Sequence, residues 1–368
     1  MENTAKKTLG IIFGGRSSEH EVSLRSATMI INNVPKDKYS PVLIGITKEG
    51  KWYLYEGDVS LIADGSWEQS GSIVPAFISP DPTAHGLLVM RGSTPETIYL
   101  DAVFPVLHGK NGEDGTMQGL LELAGIPYVG CDTASAAVCM DKAITNTMLE
   151  LGKVPQARFV WFYYAAFERE MEEYLSIIED YLSYPCFVKP ANAGSSVGIS
   201  KCKNRSDAID AIRFAAMHDS KIVVEQAIKG TEVEIAVLGS GDFPRVSEIG
   251  EIVSANEWYD YESKYSGIGS KTLIPARISK AAADEIKHQA IRAYRILGCS
   301  GLARIDFFVK GDEIFLNEPN TLPGFTEISM YPTLWEASGV SNGELIDTLV
   351  TLAEERMATA VHSLDKEV

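Results

Sequence analysis

The segment 302–320 constrains the fold of this chain more than any other. Its run LARIDFFV alternates strictly, putting Leu302, Arg304, Asp306 and Phe308 on one face of an extended strand and Ala303, Ile305, Phe307 and Val309 on the other. The second face is wholly apolar and must lie on a core, whereas the first carries a cation and an anion. After the turn Lys310-Gly311-Asp312-Glu313, the run IFLNEPN continues the period, with Ile314, Leu316, Glu318 and Asn320 on a shared face. The two strands are expected to form a hairpin. Pairing symmetric about Asp312 sets Asp306 opposite Glu318 and Arg304 opposite Asn320, so three oxygen-bearing side chains and a guanidinium converge. Oxygen donors of this kind suit Mg²⁺, which keeps several waters and needs few protein ligands. A solvated hairpin face with a surface ion pair fits the same pattern.

Elsewhere strands alternate with helices, without repeats or low-complexity tracts, which is an α/β pattern. Residues 9–13 and 103–107 are short apolar runs closed by glycine or histidine, as expected of buried parallel strands whose carboxyl ends face a ligand. Residues 167–182 and 283–297 carry apolar side chains at helical spacing, the second run stopped by Gly298, and read as packing helices.

Composition narrows the function classes. With 368 residues, 45% of them hydrophobic, the chain can bury the cores of about two or three domains. A formal net charge of -17 offers no basic field for a nucleic acid or an anionic membrane surface, so neither is expected as a partner. Cys131, Cys139, Cys186, Cys202 and Cys299 are scattered without metal-ligand spacing and read as core thiols of a reducing compartment. Lys6 and Lys7 precede an apolar run, but Gly14, Gly15 and Arg16 end it too early for a signal peptide, and no stretch reaches membrane-spanning length. A cytoplasmic location is expected.

A second signal is FVKPANAGSSVGIS, in which a strand ending at Lys189 runs into a small-residue loop containing Gly194, Ser195, Ser196 and Gly198. Backbone N–H groups and hydroxyls of such a loop can approach phosphate oxygens, with the lysine as a point charge. A surface turn is the plainer reading. The order of lysine and glycines is not that of a Walker loop, and Gly14-Gly15 lacks the third glycine of a dinucleotide fingerprint.

Eight blocks in order, GGRSSEHEVS, HGKNGEDGTMQGLLELAGIPYVG, MDK, FVKPANAGSSVGIS, VEQAIKGTEVEIAVLG, YDYESKY, ARIDFF and NEPNTLPGFTEISMYP, resemble the signature blocks of D-alanine-D-alanine ligases and span Gly14 to Pro332. The resemblance implies the ATP-grasp fold. It divides the chain into an N-terminal α/β substrate domain with an open parallel sheet at 1–131, a central ATP-grasp domain at 132–225 and a C-terminal catalytic domain at 226–368, the ATP-binding part being α+β.

Residue by residue, the resemblance implies that Lys142, Lys189 and Lys264 contact the ATP phosphates, together with the Ser195-Ser196 loop. Glu225, Ile228 and Glu232 would hold adenine and ribose, and Asp306, Glu318 and Asn320 two magnesium or manganese ions. Glu19 would receive the ammonium of the first D-alanine, with Ser195 and Tyr265 as its hydrogen-bonding partners and His108 beside that substrate. Ser329 and Met330 would bind the carboxylate of the second.

The implied reaction joins two D-alanines at the expense of ATP. One carboxylate attacks the γ-phosphate to give an acyl phosphate, and the amine of the second D-alanine then attacks the carbonyl. Arg304 and the backbone N–H of Gly324 would stabilise the tetrahedral oxyanion. The group that deprotonates the incoming ammonium is left unassigned. Relatives that make D-alanyl-D-lactate replace the tyrosine matching Tyr265, and resistance-type ligases tend to carry arginine after the carboxylate-binding serine, so Tyr265 and Met330 both favour D-alanine. Ala193 departs from many relatives, which carry a larger residue there. A homodimer and a monovalent cation such as K⁺ are further expectations. A different ATP-grasp carboxylate-amine ligase would share the hairpin but not EHEVS and ESKY, and a non-catalytic nucleotide-binding protein would be expected to have lost Arg304 or a metal ligand.

Overall fold

The computed structural model describes residues 5–195, 197–254 and 270–364, arranged around three sheets. In the N-terminal sheet, Lys7–Gly14 pairs parallel with Tyr39–Ile46 on one side and Ala102–Val106 on the other. The expected parallel strands are therefore present, but four antiparallel strands, Trp52–Tyr55, Ile73–Ile78, Gly86–Val89 and Glu96–Tyr99, extend the same sheet. The cause is connection length. Tyr39–Ile46 returns to Trp52–Tyr55 through a turn closed by the Thr47 N–H on the Lys51 carbonyl, far too short for a parallel crossover.

The central sheet, in the order Ser200–Cys202, Cys186–Pro190, Lys221–Gln226, Phe159–Tyr163, is antiparallel throughout. Alternation along Cys186–Pro190 buries Cys186 and Val188 against the helix Arg205–Ala216 and turns Phe187 and Lys189 to the opposite face. The helix expected over 167–182 is instead three pieces, Tyr164–Arg169, Met171–Ile177 and a π turn at Ile178–Leu182. Glu170, at φ -127°, breaks the first from the second, and the widened last turn keeps Leu175, Ile178 and Leu182 in the core. The second expected helix is present as Lys280–Ile296, capped by Ser279 and ended by Gly298 at φ 70°.

The third sheet, in the order Ser270–Leu273, Arg245–Ser254, Thr231–Gly239, Gly301–Lys310, Glu313–Asn320, is also antiparallel. Ala303, Ile305, Phe307 and Val309 lie on the helix Lys280–Ile296, as the apolar face of the sequence requires. The C-terminal helix Asn342–Leu364 joins this part to the N-terminal sheet, with Arg356 donating to the Tyr128 carbonyl at 2.8 Å while its guanidinium stacks 4.3 Å from the Tyr128 ring. All five cysteines are buried and unbridged, and among the described residues no helix is long and apolar enough to cross a membrane.

Candidate active site

The hairpin forms with the expected opposition: Arg304 faces Asn320 and Asp306 faces Glu318. It reaches that register by another route. Lys310 pairs with Glu313 across a two-residue turn, and a bulge between the Phe307–Leu316 and Asp306–Glu318 pairs takes up the extra residue, Asn317. The bulge also switches faces. Ile314 and Leu316 therefore join the apolar core beside Phe307 and Val309, not the face of Glu318 and Asn320 as strict alternation suggested.

Three adjacent strands now present one row of carboxylates, Glu234, Asp306 and Glu318, in direct cross-strand register. Arg304 binds two of them. Its Nε and Nη2 donate to the two oxygens of Asp306 at 2.7 Å each, and its Nε lies 3.0 Å from Glu234 Oε2. Asp306 and Glu234 are 2% and 3% exposed, so this is a buried ion-pair network in which the neighbouring carboxylates outweigh desolvation and keep the guanidinium charged.

The face of this sheet lines two adjoining cavities. The first, about 460 Å³, is bounded by Arg304, Glu318, Asn320 and Glu234 from the sheet, by Glu19 and His108 from the N-terminal part, and by Lys142 and Ser195 from the central part. Gly324, Ser329 and Met330 complete it. The second, about 560 Å³, is bounded by Lys189, Lys201, Glu225, Ile228, Glu232 and Phe308. Asn146, Ile199, Ile252, Asn317 and Glu318 line both, so the cavities meet at Glu318. Asp306 lines neither cavity and is tied to the first through its pairing with Arg304. Ser196, Lys264 and Tyr265 lie outside the described residues.

Local structure explains how each side chain is delivered. In MDK, Asp141 caps the helix Lys142–Leu151 by accepting from the Ala143 and Ile144 N–H groups, which fixes Lys142 at its first turn. Lys142 Nζ donates to the Ala193 carbonyl at 2.8 Å and stands 4.0 Å from Glu318. Lys189 donates to Glu225 at 2.6 Å, and the Asn146 amide donates to the other Glu225 oxygen at 3.0 Å. Ser195 holds the left-handed conformation at φ 50°, uncommon for a serine.

Glu19 is 6% exposed and ends the loop that begins at Gly14 and Gly15. A Cβ on Gly109, whose φ is +71°, would stand 2.5 Å from Glu19 Oε2, and one on Gly194 would stand 3.2 Å from it. Two loops from different parts of the chain thus close on one carboxylate. His108 Nδ1 donates to the Leu322 carbonyl at 2.9 Å, so Nε2 is the acceptor for the Ser26 hydroxyl at 3.2 Å. Burial outweighs the nearby Glu19 charge and lowers the basicity of the ring, which is held neutral. Gly324 is required by close approach, since a Cβ there would stand 2.9 Å from Ser329 Oγ.

Residues 8–131 match the family described as D-ala D-ala ligase N-terminus, and residues 148–351 that described as D-ala D-ala ligase C-terminus. A D-alanine--D-alanine ligase of Caldicellulosiruptor bescii is 49% identical over 353 residues, covering 95% of this chain and 96% of that one. One from Ruminiclostridium cellulolyticum is 49% identical over 365 residues, covering 96% of each. The chain belongs to the D-alanine-D-alanine ligase family. Among solved structures, the VanG D-Ala:D-Ser ligase from Enterococcus faecalis superposes with a TM-score of 0.86 at 42% identity, covering 95% of this chain and 100% of that one. The D-alanine-D-alanine ligase from Coxiella burnetii superposes with a TM-score of 0.85 at 33% identity, covering 98% and 99%. The ATP-grasp fold of this ligase family is thereby established.

Two residues of this ligase-family site escaped the sequence reading. Glu234 was visible as a carboxylate in TEVEIAVLG, but its place beside Arg304 depends on pairing two strands some seventy residues apart, which no local pattern encodes. Glu113, from the GEDG block, lines the first cavity; burial, then the Glu19 charge, push its carboxyl well above the ordinary range.

Proposed function

We propose that this chain ligates two D-alanines to D-alanyl-D-alanine, the dipeptide of peptidoglycan precursors, with conversion of ATP to ADP and phosphate. The observation that carries the reading is the meeting of the two cavities at Glu318; a nucleotide seated in the Lys189–Glu232 cavity would bring its terminal phosphate to the wall of the cavity lined by Glu19, Arg304 and Ser329.

The ATP-dependent chemistry of the family calls for a divalent metal. Among the described residues, no three histidine, cysteine, aspartate or glutamate side chains form a metal-binding group. The donor set still fits magnesium or manganese. Asp306, Glu318 and Asn320 supply hard oxygens on one patch, three carboxylates there face a single guanidinium, and the phosphates and water complete the shell. When bound, two such ions would neutralise charge on the transferring phosphoryl group.

In this reading Lys142 and Lys189, with Lys264 and Ser196, hold the phosphates, while Glu225, Ile228 and Glu232 select the nucleoside. Release of Lys189 from Glu225 accompanies nucleotide entry. Glu19, backed by Ser195 and Tyr265, receives the ammonium of the first D-alanine, and His108 fixes the loop at Leu322 behind it. The first carboxylate oxygen attacks the γ-phosphorus as ADP leaves. The second amine, having lost one proton, attacks the acyl carbonyl, and the oxyanion is met by Arg304 and the Gly324 N–H. Phosphate departs with the bridging oxygen. Ser329 and the Met330 backbone N–H at the helix start hold the second carboxylate. The domain limits 1–131, 132–225 and 226–368, a homodimer, activation by K⁺ and a cytoplasmic location complete the proposal.

Phosphate release and product mass, measured with D-alanine alone and with D-alanine plus D-lactate or D-serine, test the reading. D-serine belongs in the set because a D-Ala:D-Ser ligase is a close structural neighbour. Tyr265 and Met330 favour D-alanyl-D-alanine as the main product; predominant D-alanyl-D-serine would reverse the specificity assignment.

A further inference from the structure

Three cations line the amino-acid cavity: Arg25, Lys142 and Arg304. Two are already committed. Arg304 is clamped between Asp306 and Glu234, and Lys142 donates to Ala193 beside Glu318. Arg25 is exposed and, among the described residues, forms no ion pair, although the chain carries an excess of 17 negative charges. A guanidinium on the wall of an acidic cavity, with none of the surrounding carboxylates holding it, is placed for an anion that arrives from outside.

Its position is set by its neighbours. Arg25 lies on the helix His20–Asn33, one turn beyond Val22, which lines the same cavity. The adjacent Ser26 accepts from the Phe325 N–H at 3.1 Å and also contacts His108, so this helix is pinned to the 322–325 loop. From there Arg25 shares the cavity rim with Ser329, the N-cap of the helix Met330–Ala337. We propose that Arg25 is a binding residue for the second substrate, taking the carboxylate of the incoming amino acid together with the Ser329 helix start. The proposal rests on the assignment of Ser329 and Met330 to that carboxylate and adds a partner on a different element of the chain. It explains how a carboxylate is drawn into a cavity lined by Glu19, Glu113, Glu234 and Glu318: an unclaimed cation at its wall offsets their repulsion.

The test is the D-alanine saturation curve of the full-length enzyme, resolved into first-site and second-site KM, for wild type, Arg25→Gln and Arg25→Lys. Because the side chain is exposed, the variants should fold as the wild type does. Arg25→Gln should raise the second-site KM about tenfold, a difference of about 1.4 kcal/mol, with kcat, the first-site KM and the KM for ATP within about twofold. Arg25→Lys should recover most of the loss. Raising ionic strength with choline chloride at fixed KCl should increase the second-site KM of the wild type more than that of Arg25→Gln. A second-site KM unchanged in Arg25→Gln, or a loss confined to kcat, overturns the assignment. Absence of dipeptide from the wild-type enzyme would instead contradict the ligase reading on which it rests, so the two failures are distinguishable.

Discussion

Arg304 and Asp306, two residues apart on one strand, are joined by a two-pronged ion pair, Nε to Oδ1 and Nη2 to Oδ2, each at 2.7 Å. The pair is buried, and Glu234 Oε2 lies 3.0 Å from the same guanidinium as a second ion-pair partner. A residue proposed to meet the oxyanion is thus held by one proposed to hold the metal, and their positions are coupled.

Asp306→Asn should abolish dipeptide formation at saturating magnesium, because it removes a charge that the phosphoryl-transfer site needs and one prong of the clamp on Arg304. The fold should survive, since Glu234 still pairs with Arg304. Activity and thermal unfolding measured on the same preparation separate the two effects; near-normal turnover would remove Asp306 from the metal site.

Arg304→Lys should cost about 10²- to 10³-fold in turnover although the charge is kept. One ammonium cannot span both Asp306 oxygens and still present a donor to an oxyanion. Retention of more than about a third of wild-type turnover would rule out the oxyanion role.

Glu113 gives a pH prediction with a definite sign. Its carboxyl is raised above the ordinary range by burial and by Glu19, so the folded protein keeps a proton that the unfolded chain has lost. The stability it contributes is full below the ordinary carboxyl range and is lost as the pH rises through the raised value. Glu113→Gln keeps a neutral side chain at every pH. Its unfolding temperature should therefore gain on that of the wild type as the pH rises from about 5 to about 8. A constant difference across that interval would show that Glu113 ionises normally.

What the sequence revealed follows the range of the interactions involved. The opposition of Asp306 and Glu318 was legible because hairpin register is set locally, by a period of two and a short turn. The bulge at Asn317 was not legible, since nothing in IFLNEPN marks where alternation slips, and strict alternation therefore assigns Ile314 and Leu316 to the wrong face. The helix over 167–182 had the right apolar spacing, but the break at Glu170 answers to packing on the central sheet. Glu234 entered the site only through pairing between distant strands, and Arg25 only through the contact of its helix with the 322–325 loop. Residues carried by motif blocks, such as Glu19, Lys142, Ser195 and Ser329, converge on one cavity because each block ends a strand or starts a helix at its edge.

The most direct test of the proposed chemistry is the fate of oxygen in D-alanine labelled with ¹⁸O in its carboxylate, followed by mass spectrometry of the phosphate and the dipeptide. Attack of that carboxylate on the γ-phosphorus predicts one labelled oxygen in inorganic phosphate for each peptide bond formed, with none in ADP. Label appearing in AMP, or unlabelled phosphate alongside dipeptide, would contradict an acyl phosphate formed where the two cavities meet at Glu318.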